Sequence, residues 1–119
     1  MQPTVLIVED NSDLRETLAD FLSLEGFETE LAGNGEEGLE RLHAMDAPCV
    51  VLLDLMMPVM DGAEFLHTIR MSPRFSRLPV ALMTASPPSM DIGADRFLRK
   101  PFRLENLLGV VHEMCDGDA

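Results

Sequence analysis

The sequence predicts an α/β fold, a doubly wound five-stranded parallel sheet of order 2-1-3-4-5. Three observations carry this expectation. Short apolar runs alternate with amphipathic helical patterns along the whole chain. The first, third and fourth runs are continuously apolar, as strands covered on both faces are. The second run alternates apolar and acidic residues, which suits a sheet edge. At 119 residues, residues 1–119 are expected to form a single domain able to bury a real core.

The first strand is read over Thr4–Val8, and Leu14, Leu18, Phe21 and Leu22 then fall on one face of a helix. The second, Phe27–Leu31, sets Phe27, Thr29 and Leu31 on one side and Glu28 and Glu30 on the other. Asn34 with Glu37 marks the next helix start, an N-cap with a returning acid at the third position. Cys49–Leu53 is the third strand, and Asp61 with Glu64 opens the helix after it. Pro79–Met83 and Arg96–Arg99 are the fourth and fifth strands, while Leu104, Leu107, Leu108 and Val111 form the apolar stripe of the last helix. With the first strand central and the second at the edge, ligands are expected beyond the carboxyl ends of the strands, at the switch point of the sheet. Glu9, Asp10, Asp54, Thr84 and Lys100 all emerge there.

Three carboxylates in one crevice require a compensating charge. Two of them about 5 Å apart repel by roughly 3 kcal/mol at an effective dielectric of about 20, so three pairs approach roughly 10 kcal/mol. Lys100 supplies one positive charge. It is the only lysine in the chain, the other eight cations being arginine, so a compact ammonium is favoured here over a planar fork. A divalent metal would supply the rest, and oxygen-only ligands with room for several waters favour Mg2+. A carboxylate beside such a cation, a hydroxyl and an ammonium is suited to accept a phosphoryl group. A merely solvated acidic edge does not account for Thr84 and Lys100 at matching strand ends.

Composition excludes several classes. A formal net charge of -12 opposes direct contact with nucleic acid phosphates. The opening MQPTVLIVED has no basic segment, and its apolar run is too short for a signal peptide or a membrane span, so a cytoplasmic protein is expected. The two cysteines, Cys49 and Cys115, show no zinc or disulfide spacing and are expected to be reduced and structural.

Four segments, VLIVEDN, LLDLMMPVMDG, PVALMTA and GADRFLRKPF, resemble the receiver domains of two-component response regulators, and together they cover essentially the whole chain. The resemblance implies a flavodoxin-like sheet, an order that members of this family themselves illustrate. It implies that Asp54 is the phosphoacceptor, that Glu9, Asp10, Asp54 and the Met56 backbone carbonyl hold Mg2+, and that Thr84 and Lys100 contact the phosphoryl oxygens. Phe97 is implied as the aromatic whose burial tracks the switch, and Lys100-Pro101 as a cis peptide. The implied partners are a sensor histidine kinase or phosphotransfer protein, or a small phosphodonor, together with an unknown output partner. The implied activity is self-phosphorylation and autodephosphorylation at Asp54 only, so the domain is not an enzyme in the wider sense. Phosphorylation carries Asp54 from one negative charge to nearly two, which would draw Thr84 inward and let Phe97 follow.

One stretch departs from the family pattern. Asp54 to Thr84 spans thirty residues as expected, but Thr84 to Lys100 spans sixteen, about two turns short of the usual crossover. Only the eleven residues Ala85 to Asp95 return the chain across the sheet, near the minimum of about ten to twelve for such a connection. Pro87 and Pro88 can open a helix but not continue one, and Gly93 is placed to close it. A shortened or nearly absent fourth helix is therefore expected, which puts in doubt the output and dimerisation uses that the family makes of that helix. Partners are expected on the first and last helices instead.

Duller readings apply elsewhere. Gly33-Asn34-Gly35-Glu36-Glu37-Gly38 fits a dinucleotide fingerprint, but two glutamates would face the pyrophosphate, so a turn and cap are expected. His43, His67 and His112 stand apart on helices, as surface or boundary residues. Arg70, Arg74 and Arg77 are read as a solvated loop, with a docking patch as the alternative. Met56, Met57 and Met60 are read as packing, or else as adaptable partner contacts. Met56 and Ser86 occupy positions that would tune water access to a phosphoryl group. Among rival functions, a magnesium-dependent aspartate-nucleophile hydrolase expects a second Asp two residues after the first, where Met56 stands, and a cap domain. A flavin or nucleotide carrier expects a glycine loop after the first strand. A pseudo-receiver acting as a constitutive interaction module is supported by the short crossover and opposed by the complete pocket. After the last helix the sequence ends in Asp116-Gly117-Asp118-Ala119, so a stand-alone receiver or a fragment of a longer regulator is expected.

Overall fold

The computed structural model describes residues 2–116; the tail Gly117 to Ala119 lies outside them. The chain folds as β1 (Thr4–Val8), α1 (Ser12–Leu24), β2 (Glu28–Ala32), α2 (Gly35–Ala44), β3 (Val50–Asp54), α3 (Gly62–Arg70), β4 (Val80–Thr84), β5 (Arg96–Arg99) and α4 (Leu104–Cys115). All five strands are parallel, in the order β2-β1-β3-β4-β5. The predicted doubly wound sheet is thus present, with β2 at the expected edge.

Two apolar layers flank the sheet. On one face Leu6, Val8, Val51, Leu53 and Leu82 meet Leu42 of α2 and Phe65, Leu66 and Ile69 of α3. On the other, Val5, Ile7, Leu52 and Met83 meet Leu18 and Leu22 of α1 and Leu107 and Val111 of α4. Burial of Val5 to Val8 in β1 and of all of β3 and β4 explains why those runs read as unbroken hydrophobicity. Burial in β2 alternates, because an edge strand with helices set inward keeps Glu28 and Glu30 in solvent.

Three strands are displaced by one residue from the sequence reading. Phe27 is 5% exposed but gives its N–H to Leu22 O at the end of α1, so β2 starts at Glu28. Asp54 and Thr84 lie inside the ladder, opposite Met83 and Arg99, so β3 and β4 each run one residue further than their apolar runs. Asp61 and Glu64 form the complete capping box expected of them. At α2 the box is altered: Asn34 accepts from Glu37 N–H as expected, but Glu37 returns to Gly33 N–H instead of its own N-cap. The glycine-rich segment is therefore a turn and cap, and its glycines serve close packing. A Cβ on Gly38 would lie 2.9 Å from the Phe65 ring.

The expected loss of a helix between β4 and β5 is observed, since residues 85–95 form only bends and irregular backbone. Gly93, expected to close a short helix, instead takes a positive φ of 93° in a turn where Asp91 accepts its N–H. Arg70, the last residue of α3 and not a loop residue as read from the sequence, holds this segment. Its guanidinium donates to the carbonyls of Gly93, Ser76 and Leu78 and pairs with Asp95 at 3.1 Å. Asp95 in turn accepts Val80 N–H. A planar five-donor fork replaces the packing that a helix would have supplied. Ile92 and Ala94 cover part of the core beneath.

The expectation of two reduced cysteines is corrected. Cys49, directly before β3, and Cys115, the last residue of α4, form a disulfide with Cα atoms 4.8 Å apart. Sixty-six residues separate them, so sequence spacing held no sign of the pairing.

Candidate functional site

The carboxyl ends of β1, β3, β4 and β5 converge on one crevice. Glu9 follows β1 directly, and its N–H donates to Ala32 O of β2, which continues the ladder one residue past the strand. It is 1% exposed, and its carboxylate accepts Asn11 N–H and the Lys100 ammonium. Arg15 of α1 donates to the Glu9 carbonyl at 2.7 Å, tying the helix to this turn. Asn11 also caps α1 by accepting Leu14 N–H, so one residue fixes both the helix start and the Glu9 carboxylate.

Asp54 ends β3 and is 5% exposed. The loop after it turns sharply into α3, and only glycine fits at its far end. A Cβ on Gly62 would lie 2.5 Å from the Asp54 carbonyl oxygen and 2.8 Å from Leu55 Cα. Val59 in this loop has a positive φ of 69°, a strained setting for a β-branched residue, and its side chain points into solvent. Met56 is 73% exposed, whereas Met57 packs into the core and Met60 against it. Met57 and Met60 therefore take the packing role read from the sequence, while Met56 faces solvent.

Lys100 reaches across from the end of β5. Its Nζ lies 2.8 Å from Glu9 Oε1 and 3.3 Å from Asp54 Oδ1. Glu9, Asp10 and Asp54 each bring one carboxylate oxygen within 4.8 Å of the others. This crowding has an electrostatic signature. Burial, then the Glu9 charge and a hydrogen bond with Asp10, push the Asp54 carboxyl from 3.8 up to about 7 against the opposing pull of Lys100. Burial pulls the Lys100 ammonium downward, but its hydrogen bond to Glu9 and the charges of Glu9 and Asp54 hold it above its ordinary value.

Thr84 is 3% exposed, and its hydroxyl donates to Ser86 O and accepts Ser86 N–H, so it is engaged with the first turn of the crossover. Phe97 on β5 lies opposite Leu82 and is 48% exposed. The Lys100-Pro101 peptide is cis, as the resemblance implied. Beside it an apolar cavity of about 340 Å³ is lined by Leu14, Ala85, Lys100, Pro101 and Phe102. The fold thus gathers Glu9, Asp10, Asp54 and Lys100 into contact, with Thr84 at the adjacent strand end. Asn11 and Arg15 were missed in the sequence reading, although an Asn just before the first helical stripe is itself a cap signal.

The donor set suits a hard divalent cation: three carboxylates within 4.8 Å, with oxygen donors only. His43, His67 and His112 lie on α2, α3 and α4 and take no part in the cluster.

A parallel sheet of this order, with three acids and one lysine beyond its carboxyl ends, defines the doubly wound class of α/β domains that bind their ligands at that edge. The chain belongs to the response regulator receiver domain family, whose model matches residues 5–112. It is 40% identical over 114 residues to the response regulator MprA of Mycolicibacterium vanbaalenii, covering 91% of this chain and 48% of that protein. It is also 40% identical over 110 residues to a transcriptional regulatory protein CpxR homolog of Haemophilus influenzae, covering 87% and 46% respectively. The chain spans about half the length of these curated relatives. Among solved structures it resembles the chemotaxis protein CheY4 of Vibrio cholerae, with a TM-score of 0.88, 29% identity and coverage of 96% and 99%. A putative response regulator from Chloroflexus aurantiacus gives a TM-score of 0.89, 28% identity and coverage of 98% and 99%. The chain is a receiver domain of two-component signalling.

Proposed function

We propose that Asp54 accepts a phosphoryl group from a phosphohistidine or a small acyl phosphate and that Thr84, Lys100 and Phe97 convert this event into a change of surface. The observation that supports this best is the Lys100 bridge between Glu9 and Asp54 at 2.8 and 3.3 Å. An ammonium this near the Asp54 carboxylate would also lie within reach of the oxygens of an acyl phosphate formed there. An Asp54 Oδ attacks phosphorus, the donor's leaving group departs in line, and the chain gains nearly one further negative charge. Lys100 would turn from Glu9 toward the new oxygens, and Thr84 would exchange its Ser86 contacts for a phosphoryl oxygen. Phe97, at the open edge of the sheet, would then fill the space that Thr84 leaves.

Mg2+ is the cation that this donor set fits, held by Glu9, Asp10 and Asp54 with the Met56 carbonyl, and when bound it would neutralise developing charge on the phosphoryl oxygens. It would also favour ionised Asp54 at neutral pH, the form able to attack. The domain would carry out self-phosphorylation and autodephosphorylation only, as part of a cytoplasmic phosphorelay with a sensor kinase or phosphotransfer protein upstream. Among the described residues no helix is long and apolar enough to cross a membrane. With the crossover reduced to turns held by Arg70, contacts of the output partner would fall on α1, α4 and the β5 edge. The acidic surface disfavours direct nucleic acid binding by these residues.

Intact mass after incubation with acetyl phosphate, with and without Mg2+, tests the reading. A Mg2+-dependent gain of one phosphoryl group in the wild type and none in Asp54→Asn is expected. Equal uptake by Asp54→Asn would overturn the assignment, and no uptake with any donor would favour the constitutive interaction module.

A further inference from the structure

We propose that Cys49 and Cys115 form a reversible thiol–disulfide couple, a modification site at the opposite end of the sheet from Asp54, whose co-substrate is a low-molecular-weight disulfide of the glutathione type. Strand β3 carries both chemistries: Cys49 immediately precedes it and Asp54 ends it, on the order of 16 Å apart at about 3.3 Å per residue.

The geometry is that of a closed pair whose two halves are fixed independently by the fold. Cys49 is fixed by its N–H bond to Thr4 O at the amino end of β1. Cys115 is carried by α4, whose position is set by Leu107 and Val111 buried on the sheet. The Cα separation of 4.8 Å lies in the range that a disulfide spans without backbone movement. Both residues are half-buried, packed against the core on one side and reachable from solvent on the other, which thiol exchange requires. The bond fastens the last turn of α4 to the sheet. Otherwise that turn, which contains no lysine or arginine, is held by ion pairs open to solvent: Glu113 with Arg96 of β5 at 3.2 Å, and a 3.9 Å contact of His112 with Asp116.

Exchangeability rests on the cytoplasmic setting proposed above, where persistent structural disulfides are rare and those that form are exchanged. The step balances as two exchanges. One cysteine thiolate attacks oxidised glutathione and releases a glutathione thiolate. The second cysteine then attacks the mixed disulfide and releases another. The protein loses two electrons and two protons, and one oxidised glutathione becomes two reduced ones.

Fully reduced protein incubated with oxidised glutathione, quenched with a thiol alkylator and weighed intact tests this. The expected product has lost two hydrogens, keeps no glutathione and resists alkylation, and excess reduced glutathione restores two alkylatable thiols. Cys49→Ser and Cys115→Ser are each expected to retain one glutathionyl group. The oxidised form is expected to melt several degrees higher than the reduced form, because the link closes a long loop. Two stable glutathionyl groups on the wild type, no reaction, or a disulfide that excess reduced glutathione cannot open would each overturn the proposal. Phosphoryl uptake measured on the same samples reads the Asp54 site separately, so failure of either claim is visible without the other.

Discussion

Asp54→Asn is expected to abolish phosphoryl uptake and yet make the metal-free protein more stable at pH 8. The Asp54 carboxyl is raised from 3.8 to about 7 by burial and by Glu9. The native state therefore binds a proton more tightly than the unfolded state does, and its full stability is present below about pH 4. Stability is lost as pH rises through about 7, where the buried carboxyl must ionise beside Glu9. A shift of about 3 units at about 1.36 kcal/mol each puts that loss at about 4 kcal/mol, an upper bound that relaxation of the site lowers to about 2–4 kcal/mol. An amide in the same volume carries no such cost. In urea titrations with a chelator present, the Asp54→Asn midpoint at pH 8 is expected to lie about 1–2 M above the wild type. The two proteins should converge near pH 4. Adding Mg2+ should raise the wild type at pH 8 and leave the variant nearly unchanged. A variant equal to or less stable than the wild type at pH 8 would refute the electrostatic account of the site.

Further outcomes follow from named contacts. Lys100→Met is expected to cut the phosphorylation rate by about 100-fold, the loss typical of one charged donor at a reacting oxygen, measured by mass against time with acetyl phosphate. Arg70→Met removes the donors to three carbonyls and Asp95. It should cost about 2–4 kcal/mol in urea unfolding and speed amide exchange across residues 90–95 while leaving phosphoryl uptake measurable. Gly62→Ala forces a Cβ against the Asp54 carbonyl and is expected to destabilise by about 1–3 kcal/mol. The Arg96 to Glu113 pair is solvent-exposed, so Glu113→Gln should change stability by less than about 0.5 kcal/mol.

Much of this molecule is legible in its sequence, because its strongest constraints are local. Unbroken apolar runs at β1, β3 and β4 and alternation at β2 declare which strands are central and which is an edge. The pocket is legible for the same reason: each of its members is the residue at, or one or two past, a strand end, so reading the strands locates the acids, Thr84 and the single lysine. The count of eleven residues between Thr84 and Arg96 foretold the missing helix. What replaced it was not legible, since Arg70 reaches carbonyls up to 23 residues away and nothing local marks that arginine as a clamp. The Cys49–Cys115 bond was hidden in the same way, being a contact between the start of a strand and the end of a distant helix. The one-residue strand shifts have a simpler origin. Asp54 and Thr84 are polar, so the apolar runs stop before them, but their backbones continue the ladder.

The most direct test of the central claim is to phosphorylate the protein with acetyl phosphate and Mg2+, reduce it with borohydride, and map the product by peptide mass. An aspartyl phosphate is converted to homoserine by this treatment, so the residue that carried the phosphoryl group is marked permanently. Homoserine at position 54 alone is the predicted result. Homoserine at Asp10 or another aspartate, or its absence from a protein shown by intact mass to carry phosphate, would contradict the account.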